Sequence, residues 1–160
     1  MGKVSIIMGS KSDLPIMKKV AETLEEFEVE YSMNIFSAHR TPTELSRFVK
    51  KVNADNDYKV IIAGAGMSAA LAGAIAAETS KPVIGIPLSG GKYHGIEAAL
   101  ATSEMPPGNP VLTVGIDATK NAALGAIRII ALSDPYLSNK LVFWARNQRD
   151  AVLAADESIQ

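Results

Sequence analysis

Residues 58–66 read Tyr-Lys-Val-Ile-Ile-Ala-Gly-Ala-Gly. Tyr58–Ala63 is short, apolar and β-branched, which reads as a strand. Its apolar residues run on continuously instead of alternating, so both faces of the strand are expected to be buried, as in a parallel sheet. Gly64-Ala65-Gly66 then turns the chain, and an alanine-rich helix is expected from there to about Thr79. Strand, glycine turn and helix form half of a βαβ unit, and the fold follows from how often that half recurs.

It recurs in both directions. Toward the C-terminus, Pro82–Pro87 reads as a fourth strand. Leu88–Met105 reads as a long loop with a helical turn at Ile96–Thr102, Pro110–Gly115 as a fifth strand, and Thr119–Leu132 as a helix. A final helix, Tyr136–Ala155, places Leu137, Leu141, Trp144 and Val152 roughly on one face. Toward the N-terminus, Val4–Met8 is an apolar run closed by Gly9-Ser10, a turn signal. Ile16, Met17, Val20, Leu24 and Phe27 follow at steps of three and four, the stripe of an amphipathic helix, with Asp13 as its cap and Pro15 in its first turn. Val29–Phe36 is a second extended stretch. Thr41 is expected to cap a helix opening at Pro42, with Leu45, Phe48, Val49 and Val52 on its apolar side.

Five alternations of strand and helix predict an α/β fold: a three-layer, flavodoxin-like, parallel five-stranded sheet with helices on both faces. Right-handed crossovers leave few topologies, and the order 2-1-3-4-5 is favoured. No tandem repeat or linker divides the chain, so 1–160 reads as one domain with 134–160 as a C-terminal helical arm. Leu137, Leu141 and Trp144 are expected to need a partner beyond a two-layer core, which predicts an oligomer.

Composition narrows the function. The chain has 160 residues, 16 Lys plus Arg against 17 Asp plus Glu, and no cysteine. Such a length buries a full core without staples. The lack of cysteine excludes disulfides, thiolate nucleophiles and cysteine-ligated metal, and fits a reducing, cytoplasmic compartment. Near-zero net charge argues against a nucleic-acid partner bound through phosphates. No apolar run reaches the roughly 18–20 residues that span a bilayer, and the start of the chain lacks the n-region and h-region of a signal peptide.

In open α/β sheets ligands bind beyond the carboxyl ends of the strands. Four small or polar segments fall there: Gly9-Ser10-Lys11-Ser12-Asp13, Ser37-Ala38-His39-Arg40-Thr41-Pro42, Gly64-Ala65-Gly66-Met67-Ser68 and Leu88-Ser89-Gly90-Gly91. No single one carries a function; their convergence does. The first offers backbone N–H groups and the hydroxyls of Ser10 and Ser12 to a phosphate or ribose, with Asp13 as an acceptor; alone, it would equally serve as a capping turn. It lacks the spacing of a P-loop or a dinucleotide fingerprint. His39 is one of two histidines and stands at a strand end, suited to proton transfer near neutral pH. Arg40 beside it suits a phosphate or carboxylate. The bland alternative is an exposed loop histidine and a surface arginine. Gly64-Ala65-Gly66 permits close backbone approach to a ligand, or is simply a tight turn. Tyr93-His94 lies in the long loop, between Gly90-Gly91 and Pro106-Pro107, a segment able to close over a substrate.

Together Met-Gly-Ser-Lys-Ser-Asp (8–13), Ser-Ala-His-Arg-Thr-Pro (37–42), Ile-Ile-Ala-Gly-Ala-Gly (61–66) and Asn-Ala-Ala-Leu (121–124) resemble the PurE family of de novo purine synthesis. Pro-Val-Ile-Gly-Ile-Pro (82–87) and Met-Pro-Pro-Gly (105–108) also fit, and the resemblance spans about residues 3–150. The resemblance implies a flavodoxin-like fold, a nucleotide substrate, no metal, no organic cofactor and, for the mutases of the family, a homo-octamer. It implies that His39 transfers protons and that Ser10, Asp13 and Arg40 bind the ribose-phosphate end. Ser12, Ser37, Ala38 and Leu71 are expected beside them, with Gly64, Ala65, Gly66, Ser68 and Ser89 near the migrating carboxylate.

One class of the family moves the carboxylate of N5-carboxyaminoimidazole ribonucleotide from the exocyclic nitrogen to ring carbon 4. The other carboxylates aminoimidazole ribonucleotide directly. Arg40, where direct carboxylases carry lysine, and Gly64-Ala65-Gly66 are mutase-like. Two departures stand against the mutase pattern. Ala69-Ala70-Leu71-Ala72-Gly73 replaces Ala-His-Leu-Pro-Gly, and Glu97 replaces an aspartate. The direct carboxylases also lack that histidine but carry Arg-Ser-Asn where this chain has Met67-Ser68-Ala69. Three rivals are weaker. A flavin carrier would present aromatics to its ring, and the four strand-end loops hold none. A phospho-receiver needs an acidic pair after strand one and an aspartate after strand three. A family member without activity would serve only as a binding subunit.

Overall fold

A computed structural model describes residues 2–159. The chain runs β1 (Lys3–Met8), α1 (Leu14–Glu26), β2 (Tyr31–Ile35), α2 (Pro42–Ala54), β3 (Tyr58–Gly66), α3 (Leu71–Ala76), β4 (Val83–Leu88), α4 (Ile96–Ser103), β5 (Leu112–Thr113), α5 (Thr119–Ala131) and α6 (Pro135–Glu157). All five strands are parallel, in the order β2-β1-β3-β4-β5, as expected.

Alternate residues of the central strands feed two cores. Val4, Ile6 and Met8 of β1 and Val60 and Ile62 of β3 pack with Met17, Val20 and Leu24 of α1 and Ala126, Ile127 and Ile130 of α5. Ile7, Ile61 and Ala63 face the other way, toward Leu45, Val49 and Val52 of α2 and Leu71, Ala72 and Ile75 of α3. Each buried Ile or Leu contributes about 1.5–3 kcal/mol, so β1 and β3 are the spine. Their carboxyl ends present whatever follows them to solvent at one edge of the sheet.

Several local expectations need correction. β3 does not turn at Gly64. It stays paired through Gly64↔Ile86, Ala65↔Pro87 and Gly66↔Leu88, so the turn falls at residues 67–69, where Met67 (φ 55°) and Ala69 (φ 40°) are left-handed. α3 therefore starts only at Leu71, and it ends at Ala76, short of Thr79, so it holds six residues. Asp13 stands at the N-cap of α1 as expected, but its side chain makes no capping hydrogen bond; the bonded cap lies one turn earlier, where Ser10 accepts from Ser12 N–H at the head of a 3₁₀ turn, Lys11–Asp13. Thr41 stands at the head of α2, but its hydroxyl is bonded to Ser37 and not to the helix. β5 pairs over only two residues against Ile84 and Gly85.

The arm also differs. Leu137 is fully buried, Leu141 and Trp144 pack against the first core, and Trp144 meets Phe27 at 6.2 Å between ring centroids. These residues need no second copy. The large exposed apolar side chains of α6 are Tyr136, Val142, Phe143, Val152 and Leu153.

Candidate active site

The site begins with the chain reversal after β1. Gly9 N–H is held by Gly64 O at 3.2 Å. Ser10 then gathers the turn: its Oγ accepts from Ser12 N–H at 3.3 Å and from Ser12 Oγ at 3.0 Å. This leaves Asp13 at the rim, partly buried. Burial raises its pKa above the ordinary carboxylate value, offset in part by a hydrogen bond from the Ser10 backbone.

The loop after β2 closes on itself. Ser37 N–H donates to Thr41 Oγ1 at 2.9 Å, Thr41 Oγ1 donates to Ser37 O at 3.1 Å, and Arg40 N–H donates to Ser37 Oγ at 3.1 Å. A loop so tied fixes the backbone and turns His39 and Arg40, its central residues, out toward solvent, where both are exposed.

These two turns and the segment after β3 enclose a cavity of about 450 Å³, lined by Gly9, Ser10, Ser12, Asp13, Ser37, Ala38, His39, Arg40, Ala65, Gly66, Met67, Ser68, Ala69, Ala70, Leu71 and Gly90. That is the size range of small-ligand sites. Of the residues singled out from sequence, Ser10, Ser12, Asp13, Ser37, Ala38, His39, Arg40, Ala65, Gly66, Ser68 and Leu71 line it.

Gly64 and Ser89 do not. Gly64 lies behind the wall, where a Cβ would stand 2.3 Å from Met17 Sδ, and the Ser89 amide is committed to Asp117 Oδ1 at 3.1 Å. The lining adds Gly9, Met67, Ala69, Ala70 and Gly90. All five sit inside or beside the four quoted segments. What marked them was place in the chain, since none carries a side chain with evident chemistry.

An imidazole and a guanidinium beside hydroxyls and a carboxylate can bind a phosphorylated sugar and move a proton. No cluster of three or more His, Asp or Glu able to hold a metal occurs among the described residues. No described helix is long and apolar enough to cross a membrane.

A parallel sheet of this order, with a cavity at the carboxyl ends of β1, β2 and β3, defines a flavodoxin-like protein with a candidate small-ligand site. The family model for AIR carboxylase matches residues 3–151, and the chain belongs to that family. A relative from Pyrococcus abyssi is 50% identical over 141 residues, covering 88% of this chain and 80% of its own. One from Methanocaldococcus jannaschii is 44% identical over 157 residues, covering 98% and 97%. Both are N5-carboxyaminoimidazole ribonucleotide mutases. The crystal structure of PurE from Treponema denticola superposes with a TM-score of 0.93 at 29% identity, covering 100% of this chain and 99% of that one.

Proposed function

We propose that this protein is an N5-carboxyaminoimidazole ribonucleotide mutase, converting its substrate to 4-carboxyaminoimidazole ribonucleotide in purine biosynthesis. The observation that carries the reading is the meeting of His39 and Arg40 with Ser10, Ser12 and Asp13 at one cavity of a chain in this family. Arg40 takes the phosphate, bidentately where the geometry allows, and Ser10, Ser12 and Asp13 take hydroxyls of the ribose-phosphate end. Ala65–Leu71 form the wall along which the carboxylate moves.

His39 carries the protons. The carbamate N–C bond breaks, its electron pair stays on the exocyclic nitrogen, and the imidazolium of His39 protonates that nitrogen. Carbon dioxide and aminoimidazole ribonucleotide result. The enamine-like carbon 4 then attacks the carbon dioxide, forming the new C–C bond. His39, now neutral, removes the hydrogen from carbon 4 as a proton, which restores the aromatic ring and the imidazolium. The proton lent in the first step returns in the last, so a single imidazole completes the cycle. Confinement keeps the carbon dioxide beside its acceptor, an effective-concentration effect worth several kcal/mol.

His39→Asn should cut turnover by about 10²–10⁴-fold while nucleotide binding is largely kept; a near-normal rate in that variant removes the shuttle. Arg40→Ala should mainly weaken binding. A second reading, direct carboxylation of aminoimidazole ribonucleotide, is favoured by one feature: Ala70 lines the cavity at the position where mutases carry histidine. Two assays on one preparation separate them, the carbamate substrate without bicarbonate and aminoimidazole ribonucleotide with saturating bicarbonate. Activity in the second alone selects the carboxylase.

The chain is proposed to act in the cytoplasm as one domain, 1–160, assembled as a homo-octamer. Phe143, Val142 and Val152 on the arm, 134–160, support assembly, since all three are exposed apolar side chains. Light scattering on the purified chain tests the octamer directly.

A further inference from the structure

Asp117 does not line the cavity and belongs to none of the strand-end segments, yet it reaches the end of β4 twice. Its N–H donates to Pro87 O at 2.9 Å, and its Oδ1 accepts from Ser89 N–H at 3.1 Å. An aspartate beside the start of a helix commonly caps it, but here Ala118 holds the N-cap position. α5 has no side-chain cap, and the Asp117 carboxylate crosses to the loop after β4. The residue also stands in the left-handed region (φ 54°), a conformation that costs most residues energy and that Asp and Asn tolerate through local hydrogen bonds.

The loop that Asp117 holds is also closely packed at two glycines. A Cβ on Gly95 (φ 91°) would stand 2.7 Å from Ile116 Cγ2, next to Asp117, and 3.1 Å from Ser89 Cα. A Cβ on Gly91 would stand 1.7 Å from Glu97 Oε1 and 3.6 Å from Met67 Cα, a residue of the cavity wall. Between these fixed points lies Gly90, the loop's contribution to the cavity.

We infer that Asp117 is a positioning residue of the active site. By fixing the Ser89 amide it sets where Gly90 stands, and so how the cavity is bounded beside Gly66, where a Cβ would lie 3.8 Å from Gly90 N. The inference rests on the proposed mutase reading for its kinetic half, while its structural half stands without it.

The test compares Asp117→Gly with Asp117→Asn in the full chain. Glycine keeps the left-handed backbone and removes the acceptor; asparagine keeps both. Amide hydrogen exchange is measured without substrate, and kcat and KM are measured with N5-carboxyaminoimidazole ribonucleotide. Losing a hydrogen bond to a charged acceptor should speed exchange across 88–95 by about tenfold or more in Asp117→Gly, with β1 and β3 as protected as in the wild type. kcat/KM should fall about tenfold, and Asp117→Asn should restore both. Unchanged exchange in Asp117→Gly overturns the anchor. Faster exchange with unchanged kcat and KM overturns its role at the site. A wild-type chain that does not turn over the carbamate defeats the mutase reading instead, and leaves the exchange result to judge the anchor.

Discussion

Gly64 is where packing and site meet, and Gly64→Ala tests how. A Cβ there would lie 2.3 Å from Met17 Sδ, 2.8 Å from its Cε and 3.3 Å from its Cγ, while ordinary contact begins at 3.4 Å. The closest approach is about 1 Å too short. Met17 is fully buried between α1 and the sheet, so it cannot swing into solvent and must displace its core neighbours. Overpacking of this kind costs about 1–3 kcal/mol, and the flexibility of methionine favours the lower half of that range. For a chain of this size the melting temperature should drop by about 2–4 °C per kcal/mol. Met17→Ala alone should cost about 2–5 kcal/mol through the cavity it leaves. In that background the methyl group introduced by Gly64→Ala meets empty space, so its penalty should vanish, a coupling of about 1–3 kcal/mol. Urea unfolding followed by the fluorescence of the single tryptophan, Trp144, reads each variant at one fixed protein concentration. A wild-type midpoint for Gly64→Ala, or an equal loss with and without the Met17 side chain, would show that Met17 does not exclude a Cβ at residue 64.

Asp134 Oδ1 accepts from Leu137 N–H at 3.1 Å and caps α6 ahead of Pro135; Asp134→Ala should cost about 1 kcal/mol, read as a lower melting temperature, and Asp134→Ser should recover most of it. Asp13 is raised above its ordinary 3.8 by burial, so the folded state holds its proton to higher pH than the unfolded chain. Its ionisation therefore lowers stability as pH rises from about that value through the folded pKa. Asp13→Asn should leave the melting temperature near the wild-type value at pH 3, where both side chains are neutral, raise it at pH 7, and weaken substrate binding; an equal difference at both pH values would show that burial does not oppose the charge.

Periodicity made the architecture legible. The stripe Met17, Val20, Leu24 and the continuous runs of β1 and β3 each state which element forms and how many faces it buries, because both follow from local geometry and the cost of hydrating apolar surface. The site was legible as a set of positions: once the strands were placed, the segments after them had to share one edge of the sheet, and eleven of the thirteen chosen residues line the cavity.

The misses were those decided between elements. Gly64 and Gly66 look like a turn in a linear chain, but hydrogen bonds from β4 keep them extended, and the glycine at 64 serves Met17 and not a ligand. Asp13 and Thr41 occupy capping positions by pattern, yet their bonding is settled by how the neighbouring loop folds back. The arm's Leu137, Leu141 and Trp144 looked orphaned because periodicity shows that a face is apolar without showing what covers it; Phe27, from the far end of the chain, lies against Trp144. From sequence alone, then, came the strand order, the two-faced core and the edge where the cavity lies, all consequences of local pattern. Which glycine answers to packing and which carboxylate holds the loop after β4 were decided only in three dimensions, because each depends on a partner that the chain brings from far along its length.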